Sequence, residues 1–143
     1  MSCKLFDRLK SAAITLSAAG GVDKSQCLKV ANKKTGEFWQ VQVRKTGLDL
    51  KPKTVYTGSV AMKADKKAKI MLCVSREVEP WDNLGLYKEV IVDRNWKTFK
   101  FEFTTPSKTF SPEEAGVQIC LGLFKGKLYI DNVSIRKKEV DNP

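Results

Sequence analysis

The sequence predicts an all-β protein, a β-sandwich jelly roll of two antiparallel sheets. Three observations carry that prediction. No stretch of the 143 residues sustains a helical period, and short runs of alternating apolar and polar residues recur at fairly regular intervals. The residues between the runs are the Gly, Pro, Asn and Asp that reverse a chain. The length fits one domain, residues 1–143 with a core over about 12–137, and is enough to bury a proper core.

The elements follow in order. "AAITLS" (12–17) is an initial strand ended by Gly20 and Gly21. "QCLKVA" (26–31), "EFWQVQVR" (37–44), "TVYTGSVAMKA" (54–64) and "AKIMLCVSR" (68–76) come next. "LYKEVIVD" (86–93), "WKTFKFEFT" (96–104), "GVQICLGLF" (116–124) and "KLYIDNVSIRK" (127–137) complete the set. The turns "NKKTG", "KPK", "DKK", "DRN" and "KGK" separate them, and "REVEPWDNLG" and "TPSKTFSPEEAG" are the two long connections. After the initial strand eight remain, the number in a jelly roll made of two Greek keys. The usual jelly-roll order puts 26–31, 127–137, 54–64 and 96–104 in one sheet. It puts 38–44, 116–124, 69–76 and 86–92, in that order, in the other.

Period-two alternation then assigns the faces. Trp39, Val41 and Val43 point to the core with Val117, Ile119, Leu121 and Leu123 and with Ile70, Leu72 and Val74. Their opposite face carries Gln40, Gln42 and Arg44, Gln118, Cys120 and Gly122, and Met71, Cys73 and Ser75. By contrast 96–104 buries Phe99, Phe101 and Phe103 and exposes Thr98, Lys100 and Glu102, an ordinary charged surface. The face rich in amides, small groups and sulfur is therefore the candidate site.

Composition removes several functions. There is no histidine and no CxxC pair among Cys3, Cys27, Cys73 and Cys120, which excludes a zinc site of the usual spacing. Cys73 and Cys120 lie in apolar strands, as free buried thiols or, if their strands are neighbours, a disulfide. Glu77, Glu79 and Asp82 share one loop, so nothing sets two acids across a cleft, and no nucleophile has a base. The expectation is a protein that is not an enzyme. No apolar run is long enough to cross a bilayer. "MSCKLFDRLK" lacks the apolar region and cleavage site of a signal peptide, which leaves a cytosolic chain or a piece of a longer secreted one. There are 26 Lys and Arg against 16 Asp and Glu, a net of +10, and most of the excess is lysine scattered across turns. That balance suits either a solvated surface or an anionic partner.

The order of three motifs carries a family resemblance. "FWQVQVRKTGLDLKPKTVYTGSVAMKAD", "WKTFKFEFT" and "GKLYIDNVSI" together resemble the carbohydrate-binding modules grouped around families four, nine and twenty-two, galactose-binding-like jelly rolls. The match runs from about Gln26 to Arg136. In two places it departs: "KLFDRL" stands where the family has an Asn-Gly-Phe-Glu strand, and Pro52-Lys53 replaces a turn glycine. The resemblance implies a non-catalytic, monomeric module that binds a polysaccharide such as β-glucan, xylan or pectin along one concave sheet. It also implies a linked hydrolase or lyase in a larger secreted, extracellular protein. A structural calcium away from the ligand is implied too, with Asp131 of "YIDNV" as its position, the Asp23–Ser25 turn contributing, and Asp7 in place of the missing glutamate. Asp131 reads equally as an aspartate in a strand bulge.

Sugar rings need flat apolar surfaces for their C–H faces and amides or guanidinium groups for their hydroxyls. Gln40, Gln42 and Gln118 fit the second role, and Arg44 and Arg76 suit paired hydroxyls or a carboxylate. Trp81, in the polar loop "EPWDNLG", and Tyr87, at the start of an edge strand, fit the first. By parity Trp39 belongs to the core unless a bulge re-aims it; Trp96 is a packing residue; Phe38 and Phe124 lie on the outward parity at strand ends. Positive charge adds a preference for acidic glycans. The competing readings are a nucleic-acid-binding and a protein-interaction β-sandwich.

Overall fold

In the computed structural model, which describes residues 3–17, 20–22, 26–108 and 110–139, alternation becomes ten strands among the described residues. They are β1 (Lys4–Asp7), β2 (Ala12–Ser17), β3 (Cys27–Asn32), β4 (Val41–Thr46) and β5 (Val55–Ala64). The second half supplies β6 (Ala68–Arg76), β7 (Asn83–Val92), β8 (Lys97–Thr104), β9 (Ala115–Cys120) and β10 (Gly126–Lys137). All pairings are antiparallel, and the strands form two five-stranded sheets of order β1-β4-β9-β6-β7 and β2-β3-β10-β5-β8. Each sheet holds the four strands expected of it in the expected order. β1 and β2 extend one edge of each. The jelly-roll expectation is met.

Between the sheets lies one apolar layer. Val41, Val43, Ile70, Leu72, Val74, Val117 and Ile119 face Leu28, Val30, Val60, Met62, Leu128 and Ile130, all buried. Tyr56 stacks on Phe103 at 5.6 Å between ring centroids, and its hydroxyl accepts from the Lys51 amide at 2.8 Å. Polar atoms in the layer are satisfied. Buried Asn32 donates to the carbonyls of Phe124 (2.8 Å) and Lys34 (2.9 Å) and accepts from the Ser11 hydroxyl (2.7 Å).

Parity reasoning fails at two strand ends. Residues 38–40 form a 3₁₀ turn and not the start of a strand. The other departure follows Cys120, where the chain leaves the sheet and turns, with the Phe124 amide bonded to the Leu121 carbonyl. Leu123, expected inward, is exposed, and Phe124, expected outward, is buried in the core.

Leu128 is fully buried on the central strand of its sheet. Leu128→Ala is expected to cost about 2–5 kcal/mol. The check is a lower urea midpoint at unchanged m value.

Candidate functional site

Strand register writes the outward face of the β1-β4-β9-β6-β7 sheet as three cross-strand rows. One runs Lys4, Arg44, Gln118, Cys73, Tyr87. Another runs Phe6, Gln42, Cys120, Met71, Glu89, and a third Thr46, Gly116, Ser75, Asn83. A cleft of about 580 Å³ lies over them.

The floor is sulfur and aromatic. Met71, Cys73 and Cys120 are buried, with Phe38 packed on them. Both cysteines are free. The neighbouring Cys73 thiol, with burial, pushes Cys120 well above the ordinary thiol range, and Cys120 in turn holds Cys73 below it.

Beside this floor sits a polar network centred on Glu77. Its carboxylate accepts from Thr46 Oγ1 (2.8 Å) and Gln118 Nε2 (3.0 Å) and lies 3.4 Å from Arg44 Nε. Arg44 Nε donates to Gln42 Oε1 at 2.9 Å, and Gln42 Nε2 donates to the Trp39 carbonyl at 2.6 Å. The guanidinium also lies over the Phe6 ring, 3.9 Å from its centroid. Burial lowers the Arg44 pKa more than Glu77 raises it. Gln118 Nε2 has three acceptor neighbours, the carbonyls of Gly116 (2.9 Å) and Ser75 (3.3 Å) and Glu77, which fixes the amide's orientation. Its Oε1 is buried without a partner. Gly116 makes the room: a Cβ there would lie 2.6 Å from Glu77 Cδ.

Aromatic rings form the walls. Tyr87 is 62% exposed and meets Phe38 edge-on at 5.8 Å. Trp81 is 55% exposed and Trp39 42%. Trp81 adopts a φ of 60°, a costly conformation for a bulky residue, with its amide held by the Val78 carbonyl at 2.8 Å. The loop thereby presents the indole to the cleft.

Comparisons with known proteins give the family and the fold. A family model described as a carbohydrate binding domain matches residues 4–119. The chain belongs to that family. No curated protein matches it. Among solved structures it resembles a CBM4 with a TM-score of 0.76 at 22% identity, covering 95% of this chain and 86% of the other. It also resembles the N-terminal cellulose-binding domain of Cellulomonas fimi β-1,4-glucanase C (TM-score 0.65, 18% identity, 96% and 94% covered). A third is the Clostridium thermocellum endo-1,4-β-D-xylanase whose CBM22-1 and GH10 modules are complexed with xylohexaose (TM-score 0.68, 16% identity, 93% and 26% covered).

Within this carbohydrate-binding domain the cleft gathers Gln42, Arg44, Arg76, Trp81, Tyr87 and Gln118. Gln40 is a correction. The 3₁₀ turn breaks the alternation there, and Gln40 Oε1 accepts from the Glu37 amide at 2.8 Å, away from the cleft. The same turn brings Trp39 out of the core and onto the wall, which corrects its assignment too. Arg76 sits at one end of the cleft, 3.4 Å from Asp82 and 3.7 Å from Glu114. Trp96 is half-buried under Lys63, 5.4 Å from its ring.

Asp131 is buried in a bulge of β10, where its carboxylate accepts from the amides of Val22 (3.2 Å) and Asn132 (2.9 Å). Asp7 accepts from the Leu9 and Ala12 amides and closes the β1–β2 turn. Asp23 lies outside the described residues. Among the described residues no three Cys, Asp or Glu side chains gather into a group that could hold a metal ion.

Phe6, Arg8, Asn83 and Glu77 complete the lining and were not singled out from the sequence as ligand contacts. Glu77 was within reach, because the outward parity of Cys73 and Ser75 continues to it. Phe6 and Arg8 depend on β1, too short to register as a strand.

Gly116→Ala is expected to cost about 1–3 kcal/mol by displacing Glu77. In a double-mutant cycle with Glu77→Ala, measured by urea denaturation, that cost should largely vanish.

Proposed function

We propose that the cleft binds a polysaccharide of the β-glucan, xylan or pectin type, and that the domain thereby holds an attached carbohydrate-active enzyme against its substrate. One observation carries this reading: exposed Trp39, Trp81 and Tyr87 flank an amide–guanidinium–carboxylate network on a single sheet face. The rings offer apolar area to sugar C–H groups, and the network offers donors and acceptors to hydroxyls. Family membership and the xylanase in which a module of similar fold accompanies a GH10 module support the targeting role. The positive net charge supports a preference for acidic glycans.

The test is a glycan array followed by calorimetry on the strongest glycan. Trp81→Ala and Gln118→Ala are each expected to weaken binding about tenfold or more. Thr98→Ala, on the outward face of the other sheet, should leave it unchanged. Binding indifferent to both cleft substitutions would overturn the assignment.

A further inference from the structure

The lysines that look scattered in the sequence are gathered by the topology. Five connections lie at the same end of the sandwich: 8–11, 33–40, 65–67, 93–96 and 121–125. Hydrogen bonds stitch them into one surface. The Lys33 amide donates to the Ser11 carbonyl (2.9 Å) and the Gly36 amide to that of Gly122 (2.8 Å). Asp65 donates through its amide to the Lys127 carbonyl (3.1 Å), Ala64 through its own to Asp93 (2.8 Å), and Arg94 Nε to the Asp65 carbonyl (3.0 Å).

These connections hold eight basic side chains against three carboxylates, Glu37, Asp65 and Asp93. Arg8 and Lys10 come from the first, Lys33 and Lys34 from the second. The third brings Lys66 and Lys67, and Arg94 and Lys125 complete the set, all of them exposed. Among the described residues none of the eight is in an ion pair. At the opposite end, connections 47–54, 77–82 and 105–114 reverse the balance, with three lysines against six acids. Inside the cleft Arg44 and Arg76 are already matched by Glu77, Asp82 and Glu114. The cleft therefore has little charge to spare, whereas this end has a great deal.

We propose that this basic end is a docking surface for an acidic polysaccharide, continuing the cleft beyond Trp39 and Arg8. The inference rests on the reading that the cleft holds a glycan. Arg8 and Trp39 belong to both places: they line the cleft and sit in two of the five basic connections. A chain leaving the cleft there runs onto Lys33 and Lys34. Carboxylates spaced along a polyuronate complement separated lysine point charges. Single-stranded nucleic acid is the weaker match, because it calls for several stacking rings among the basic groups. Among the described residues Trp39 is the exposed ring at this end, with Phe124 buried and Trp96 half-buried beneath Lys63. Duplex DNA needs no such rings and is separated from a polyuronate by the test.

The test uses polygalacturonate, its fully methyl-esterified form and a DNA duplex with the whole chain. Affinity for polygalacturonate should exceed that for the ester and fall by about tenfold or more between about 50 and 200 mM salt. Lys33→Glu, Lys66→Glu and Lys125→Glu combined should lower it at least about tenfold, with the ester's affinity and the melting temperature unchanged. Lys53→Glu, Lys137→Glu and Lys138→Glu combined change net charge equally at the opposite end and should have little effect. Equal losses from the two triple variants, salt-independent binding, or tighter binding to DNA would each overturn the proposal. If the basic-end triple abolishes polygalacturonate binding while Trp81→Ala changes no glycan's affinity, the surface stands and the cleft reading falls. Should Trp81→Ala weaken the ester while the triple spares polygalacturonate, the reverse holds.

Discussion

β9 is buried on both faces, and the rest of the structure depends on what that demands. All six of its residues, Ala115 to Cys120, are shielded from solvent. One face, Val117 and Ile119, is core, while Gln118 and Cys120 on the other line the cleft. A polar side chain held there without partners costs about 1–3 kcal/mol. The two N–H groups of Gln118 are shared among three acceptors, one of them the Glu77 carboxylate, and Glu77 brings in Arg44 and Thr46. The need to satisfy the N–H groups of one buried amide thus arranges most of the polar groups that face a ligand.

How far the charges in that network attract a ligand is decided by two opposed terms. Burial disfavours the Arg44 guanidinium, and Glu77 favours it; burial is the larger. Removing one partner leaves the other its remaining hydrogen bonds, Glu77 to Thr46 and Gln118 and Arg44 to Gln42. The pair is best understood as fixed scaffolding with donors left over. Net attraction for anions falls instead to exposed lysines, whose hydration is intact and whose field reaches roughly 8–10 Å at physiological salt.

Legibility in the sequence followed the reach of period two. Where the backbone stays extended, alternation placed Gln42, Arg44, Gln118, Cys73 and Ser75 on one face, and jelly-roll order made their strands neighbours, as observed. It failed where a local hydrogen bond competes with the ladder. Glu37 and Gln40 close a capping box around residues 38–40, so Trp39 leaves the core and Gln40 leaves the site. At 121–124 the Leu121 amide still bonds to the Val41 carbonyl, but Gly122, whose Cβ would collide with the Glu37 carbonyl, lets the chain turn under the 3₁₀ segment. Both failures are one event, since the Gly122 amide bonds to the Phe38 carbonyl at 3.0 Å. No pattern within either segment encodes a contact between positions so far apart in sequence. β1 was missed for a different reason: a four-residue edge strand carries too few alternations to count.

That shared contact also bears on how such a cleft would hold a glycan without large area. Binding a flexible glycan loses ordering entropy on both sides, so the protein's share must be small for a modest surface to hold it. Gln42 is fixed by the Trp39 carbonyl and Arg44, Phe38 by Tyr87 and the sulfur floor, and the 38–40 turn by Gly122. Trp81 is set in place by its own strained backbone and the Val78 carbonyl. The groups that would touch sugar are therefore ordered by contacts with one another before any ligand arrives. Strain at Trp81 and the exposure of three large rings are costs borne by the folded state, and the dense core between the sheets is what makes them tolerable.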